Sequence, residues 1–174
     1  GTFVSDKKLS RNLNHFMGFT KICELNGKKA GTNFLSAELV RAMPSDVKRL
    51  GLSEDDKVIR IRRLRYCDDV PVILEENHFP KEYAYLLAED LNGSLNEILN
   101  RHGVSLVGGS KIIGVCYANR EEARLLNIKE NDALILSKDV VHDAAGNAVY
   151  WGKEVINVER YEYKILINDR GEFG

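Results

Sequence analysis

Cysteine is scarce: Cys23, Cys67 and Cys116 are the three in 174 residues, and they form no Cys-x-x-Cys pair. A zinc cluster or disulfide framework is therefore not indicated, and a reducing, cytoplasmic setting is expected. The four histidines, His15, His78, His102 and His142, never stand at the i, i+4 spacing that aims two ligands from one helix face, so no metal or other cofactor is expected. Long apolar runs are also missing. Ala133-Leu134-Ile135-Leu136 is strand-sized, far below the roughly 20 residues of a membrane-crossing helix, and no membrane partner is implied. Neither sign of charge is in excess: 25 Lys and Arg face 26 Asp and Glu, a net charge of −1, which argues against a nucleic-acid-binding surface on this chain itself. Gly-x-Ser-x-Gly, a P-loop and the dinucleotide-binding glycine fingerprint are all absent, so no enzyme class declares itself. The first residues, Gly1 to Lys8, carry neither an initiating Met nor an apolar leader, which reads as a piece of a longer chain that is not secreted.

What is present is an ordinary globular composition, 44% hydrophobic and 29% charged, in a chain long enough to bury one substantial core. Residues 1–14 are polar and aperiodic and read as a linker. Phe16, Phe19, Ile22 and Cys23 recur at helical spacing from His15 to a stop at Asn26-Gly27. Residues 30–43 read as a strand, and Pro44-Ser45 opens a helix that ends at Gly51. Residues 57–67 and 70–79 are strands of a hairpin around Asp68-Asp69. Ser94-Leu95-Asn96-Glu97 is a capping box opening a helix that stops at Gly103. Residues 104–117 form a strand with a bulge or bend at Gly108-Gly109, and Asn119 caps a helix running to Leu126. Residues 133–142 and 148–157 flank a turn at 143–147, and Tyr161 to Ile167 make a last strand. Strands in adjacent hairpins interrupted by short helices give an α+β domain on an antiparallel sheet.

The chemistry concentrates in Arg60-Ile61-Arg62-Arg63-Leu64-Arg65. Strand alternation places Ile59, Ile61, Arg63 and Arg65 on one face, so a row that begins apolar ends in two arginines. Burying an unpaired guanidinium costs several kcal/mol or more, so these arginines meet an anion, meet protein carboxylates, or reach solvent at a sheet edge. Glu75 is the obvious internal partner, and register decides: a two-residue loop at 68–69 pairs Arg63 with Leu74, whereas a three-residue loop at 68–70 pairs it with Glu75. The residues alone leave this open. Ser94 either caps only its own helix or also helps receive an anion beside the arginines.

Phe19-Thr20, Leu50-Gly51-Leu52 with Asp55-Asp56-Lys57-Val58, Arg63-Leu64-Arg65 with Pro71 and Glu75, Ser94-Leu95 and Arg160-Tyr161 recur in order along the chain. This ordered set resembles the effector-binding UTRA domain of the HutC subfamily of GntR-type transcription regulators. Gly1-Thr2-Phe3-Val4 resembles the end of the wing of a preceding winged helix. The resemblance implies residues 1–14 as wing remnant and linker and 15–174 as the effector-binding domain. It also implies a chorismate-lyase-like fold, an antiparallel sheet with helices around a cavity, paired as a homodimer and acting on operator DNA through the winged helix. It implies a non-enzymatic sensor of a small anionic metabolite, a sugar phosphate first, with a carboxylate or phosphonate sensor or a chorismate-lyase-like enzyme as alternatives. The ligand-binding residues it implies are Arg63, Arg65, Glu75, Ser94, Thr20, Phe19 and Tyr161, and it favours the three-residue hairpin loop. Asn96 stands where many relatives carry an aromatic residue, and Asn157-Val158-Glu159-Arg160-Tyr161 where many carry Arg-Gly-Asp-Arg-Tyr.

Overall fold

The computed structural model describes residues 7–168. Its frame is a six-stranded, wholly antiparallel sheet in the order β2-β3-β4-β7-β6-β5, with a separate parallel pair of β1 and β8. The strands are β1 (Leu9–Asn12), β2 (Ala30–Arg41), β3 (Lys57–Cys67), β4 (Val70–Pro80), β5 (Leu106–Tyr117), β6 (Ala133–Asp143), β7 (Ala148–Asn157) and β8 (Tyr161–Lys164). The helices are short: α1 (Phe19–Leu25), α2 (Pro44–Leu50), α3 (Leu95–Arg101) and α4 (Arg120–Leu126), with a 3₁₀ segment over Lys81–Ala88. The α+β, antiparallel reading holds.

Alternation builds two faces. On one, Ile59, Ile61 and Phe79 pack under Leu86, Leu91, Leu95, Ile98 and Leu99 of the 3₁₀ segment, the loop after it and α3. The same face continues into a second apolar cluster of Leu9, Ile22, Cys23, Cys67, Ile73, Ile156 and Tyr161. Between the two clusters lies the polar strip that begins with Arg63 and Arg65. On the opposite face Leu64, Leu74, Leu134 and Val155 pack against Ala123 and Leu126 of α4. There, too, the fully buried Asp46 holds α2 down: its Oδ1 accepts from Trp151 Nε1 at 2.7 Å and lies 2.8 Å from His78 Nδ1, while its Oδ2 accepts from the Met43 amide at 2.8 Å.

Local chemistry explains the element ends. Gly51 closes α2 at φ 66°, and Asn119 and Glu122 complete a reciprocal capping box on α4. On α3 only the serine half of the box forms, Ser94 Oγ accepting from the Glu97 amide at 3.3 Å. A bulge interrupts β5 between Leu106 and Gly108, and a Cβ on Gly109 would stand 2.1 Å from the Val140 carbonyl oxygen, so only glycine fits there.

Four expectations change. The hairpin loop has two residues, not three: Asp68 and Asp69 both take positive φ, 48° and 65°, as a tight hairpin turn requires. A bulge at Val72, between the pairs Tyr66–Pro71 and Arg65–Ile73, then shifts β4 by one residue and brings Arg63 opposite Glu75. The pairing implied by the resemblance is thus reached by another route. The first helix starts at Phe19 rather than His15, because Gly18 takes the extended N-cap conformation and frees Phe16 and Met17 to face a cavity. Residues 9–12, read as linker, are a strand, because Leu9 is buried and β8 offers a free edge. The last strand ends at Lys164, not Ile167. The resemblance at Gly1 to Val4 lies outside the described residues.

Candidate functional site

The strands set a cross-sheet row. Antiparallel register lines up Arg63, Glu75, Glu154 and Ser137 across β3, β4, β7 and β6, and the next row is Ile61, Asn77, Gly152, Asp139 and Lys111. A Cβ at Gly152 would lie 2.6 Å from the Asn77 side-chain oxygen, so a larger residue there would displace that side chain. These rows floor a cavity of about 290 Å³. Helix α1, the preceding loop and the start of α3 form its walls, and all seven residues singled out in the sequence line it: Phe19, Thr20, Arg63, Arg65, Glu75, Ser94 and Tyr161.

The two arginines are not equivalent. Arg63 is 2% exposed and saturated by protein: Nε donates to Glu75 Oε1 at 2.6 Å, Nη2 lies 2.5 Å from the same oxygen, and Nη1 donates to the Leu91 and Gly93 carbonyls at 3.3 and 2.8 Å. It thereby ties the loop before Ser94 to the sheet. Arg65, 5% exposed, reaches Glu75 Oε2 through Nη1 at 3.3 Å, lies 4.7 Å over the Phe19 ring, and has a buried Nε with no partner. Burial works against the Glu75 carboxylate, yet the two guanidiniums hold its pKa below the usual range. Two cations against one carboxylate leave one positive charge at this end of the cavity.

Sequence reasoning missed the other end, where Arg11, Asn77, Asp139, Tyr150 and Glu154 also line the wall. Asn77 was within reach of the same alternation, two residues beyond Glu75 on β4, but was not singled out; the rest depended on the β4–β7–β6 register. Lys111 Nζ donates to both Asp139 oxygens at 2.8 and 2.7 Å and lies 3.6 Å from Glu154 Oε1. Burial, reinforced by Asp139 and Glu75 and opposed by Lys111 and Arg11, pushes the Glu154 carboxyl up to about 7. A carboxyl whose folded pKa is raised favours the fold while protonated, so this contribution is full below about pH 4.5 and is lost as pH rises through about 7. Glu154→Gln keeps the neutral form at every pH. Denaturant titration will show the variant more stable than wild type by about 1–2 kcal/mol at pH 8 and nearly equal at pH 5.

Among the described residues, no group of three or more His, Cys, Asp and Glu side chains could hold a metal ion, and no helix is long and apolar enough to cross a membrane. The likeness to known proteins agrees with this architecture. The chain is 26% identical over 170 residues to the uncharacterized HTH-type transcriptional regulator YurK of Bacillus subtilis (strain 168), covering 95% of this chain and 69% of the relative. It is 26% identical over 165 residues to the HTH-type transcriptional repressor NagR of the same organism, covering 94% and 68%. The fold superimposes on PhnF from Mycobacterium smegmatis with a TM-score of 0.86 at 20% identity, covering 94% of this chain and 73% of that one. Residues 25–162 match the UTRA domain, and the chain belongs to that family.

Proposed function

We propose that this chain is the effector-binding domain of a GntR-type transcriptional regulator of the HutC subfamily, and that its cavity takes a small anionic metabolite, a sugar phosphate first. Arg65 carries the reading: a buried guanidinium on the cavity wall, left with one protein hydrogen bond and an excess charge beside it, is completed by an anion. Arg63 and Glu75 hold Arg65 and the Ser94 loop in place, Thr20 and Ser94 add hydroxyls, and Asn77, Asp139 and Glu154 suit the hydroxyls or amine of a sugar. A sensing rather than catalytic role is supported by the relatives, which are named as transcriptional regulators. Residues 1–14 would then lead from a winged helix that binds operator DNA in the cytoplasm, and the effector would act by binding one arrangement of that assembly more tightly than another.

The assembly we propose is a homodimer joined at β5. Among the described residues this edge strand has no neighbour beyond it, and it exposes apolar side chains on both faces, Ile112 at 70%, Val115 at 66% and Tyr117 at 68%. Lys111, its one charged residue, is drawn into the Asp139 cluster instead of guarding the edge. An antiparallel strand pairing with its own copy is self-complementary about a two-fold axis.

Thermal unfolding with glucosamine 6-phosphate and N-acetylglucosamine 6-phosphate tests the anion site. At about 100 times its dissociation constant a ligand stabilises by roughly 2.7 kcal/mol, several degrees for this size. A shift that requires the phosphate and vanishes in Arg65→Met is expected. An equal shift with the unphosphorylated sugars, or none across the panel, overturns the sugar-phosphate assignment in favour of carboxylates or phosphonates.

A further inference from the structure

Strand β1 has four residues, one of which enters the cavity. Leu9 and Arg11 share its inner face: Leu9 is buried in the apolar cluster with Ile156 and Tyr161, and Arg11 lines the cavity opposite the Arg63–Arg65 end. The Arg11 Nε is buried without a hydrogen-bond partner. Its guanidinium lies near Tyr161, Tyr163 and Glu154, within hydrogen-bonding reach of Tyr161, and partly offsets the burial that raises the pKa of each. A smaller chamber of about 190 Å³ adjoins, and Arg11, Phe16, Asp139 and Val141 line both spaces. Among the described residues that line the cavity, Arg65 and Arg11 are the two with a buried side-chain nitrogen left without a hydrogen-bond partner.

The attachment of β1 gives this position a second meaning. On one edge β1 pairs with β8, with Leu9 N donating to Arg160 O at 2.9 Å and Leu13 N to Lys164 O at 2.8 Å. Among the described residues its other edge is met by one side chain, Asn26, which accepts from Ser10 N at 3.1 Å and donates to Ser10 O at 3.0 Å while also donating to Ile22 O at 2.7 Å. Asn26 follows directly on α1, the helix that presents Phe19 and Thr20 to the cavity. β1 and α1 are thus sewn into one unit that forms a wall of the cavity, and β1 is its most N-terminal part.

We propose that Arg11 is itself a ligand-binding residue, donating to acceptor atoms at the end of the effector away from its anionic group, and that through β1 it reports occupancy toward the N-terminal end of the chain. This rests on the reading of the cavity as an effector site. An effector that bridges Arg65 and Arg11 clamps the β1–α1 unit to the sheet, and an empty cavity leaves β1 held by β8, by Asn26 and by the packing of Leu9. The ligand class implied has an anion at one end and hydroxyl or carbonyl oxygens at the other.

Hydrogen exchange and calorimetric titration of the whole chain with glucosamine 6-phosphate test this. In wild type, ligand slows amide exchange both at residues 91–97, which Arg63 ties down, and at residues 9–13. Arg11→Met binds about ten-fold or more weakly, as the loss of a charged hydrogen bond predicts, and at saturation slows exchange at 91–97 but not at 9–13. Arg11→Lys, which keeps the charge and guards against a folding defect, restores part of both effects. Unchanged affinity in Arg11→Met with the same slowing at 9–13 overturns the proposal, as does wild-type slowing confined to 91–97. No slowing in either segment of wild type, with this or any other ligand of the panel, overturns the effector reading and this proposal with it.

Discussion

Arg63→Ala lowers the stability of this domain by about 3–5 kcal/mol, the range for removing one partner of a buried ion pair. The cost has two parts. Glu75 keeps its charge in a buried position while losing its nearest cation, and Arg65, 3.3 Å away, satisfies only the other oxygen. The Leu91 and Gly93 carbonyls lose their shared donor, which releases the loop that leads into α3. Urea titration measures the loss, and the triple variant Arg63→Met, Arg65→Met, Glu75→Leu recovers much of it, since replacing a whole buried charge cluster by apolar groups is often neutral, whereas removing Glu75 with Arg65 kept would strand the second guanidinium. Arg65→Met loses less stability and far more affinity, because its guanidinium makes one hydrogen bond to protein. A loss under 1 kcal/mol in Arg63→Ala, or equal losses in the two arginine variants, would contradict this division of roles.

Ile112→Lys on β5 raises the dissociation constant of the proposed dimer at least about 100-fold, as truncating or charging a central interface residue does. At 70% exposure the side chain contributes little to folding of the single chain, so unfolding in dilute solution stays as in wild type. Each exposed apolar side chain of β5 presents on the order of 100 Å², so the patch approaches the lower range of stable interfaces, and backbone pairing along the edge adds to it. Sedimentation equilibrium reads the outcome. A wild-type chain that stays monomeric at high concentration, or a variant that dimerises as well as wild type, defeats the assignment of β5.

Much of this fold is legible because its local signals agree. Asp68-Asp69 between β-branched runs, Gly51 after a helical stretch and Asn119 with Glu122 each have one economical conformation, and the structure adopts it. Alternation alone placed Arg63 and Arg65 on the face of Ile59 and Ile61. The bulge at Val72 was not legible, since nothing in Val-Pro-Val-Ile-Leu marks which residue is extra. Strand β1 was hidden because four residues with one buried leucine carry too little periodicity, and its partner β8 lies some 150 residues away. For the same reason Arg11, Asp139 and Glu154 could not be assigned to the site. Each is an ordinary charged residue until long-range register sets it beside the arginines.

The Val72 bulge separates two properties that a hairpin normally couples, the shape of the turn and the identity of the side chains beyond it. A chain that lengthened the turn by one residue and lost Val72 would present the same cavity. A chain that kept Val72 but paired it regularly with Arg65 would bring Leu74 opposite Arg63, moving Leu74 and Glu76 to the cavity side and Glu75 and Asn77 to the side of α4, whereas deleting Val72 outright would remove the bulge and leave Arg63 opposite Glu75. Recognition in this molecule therefore hangs on the bulge taking up a residue whose own side chain, 2% exposed in the apolar cluster beside it, does not line the cavity. Single-residue insertions and deletions near such a bulge are a route by which ligand preference can change in one step, without any substitution in the binding residues themselves.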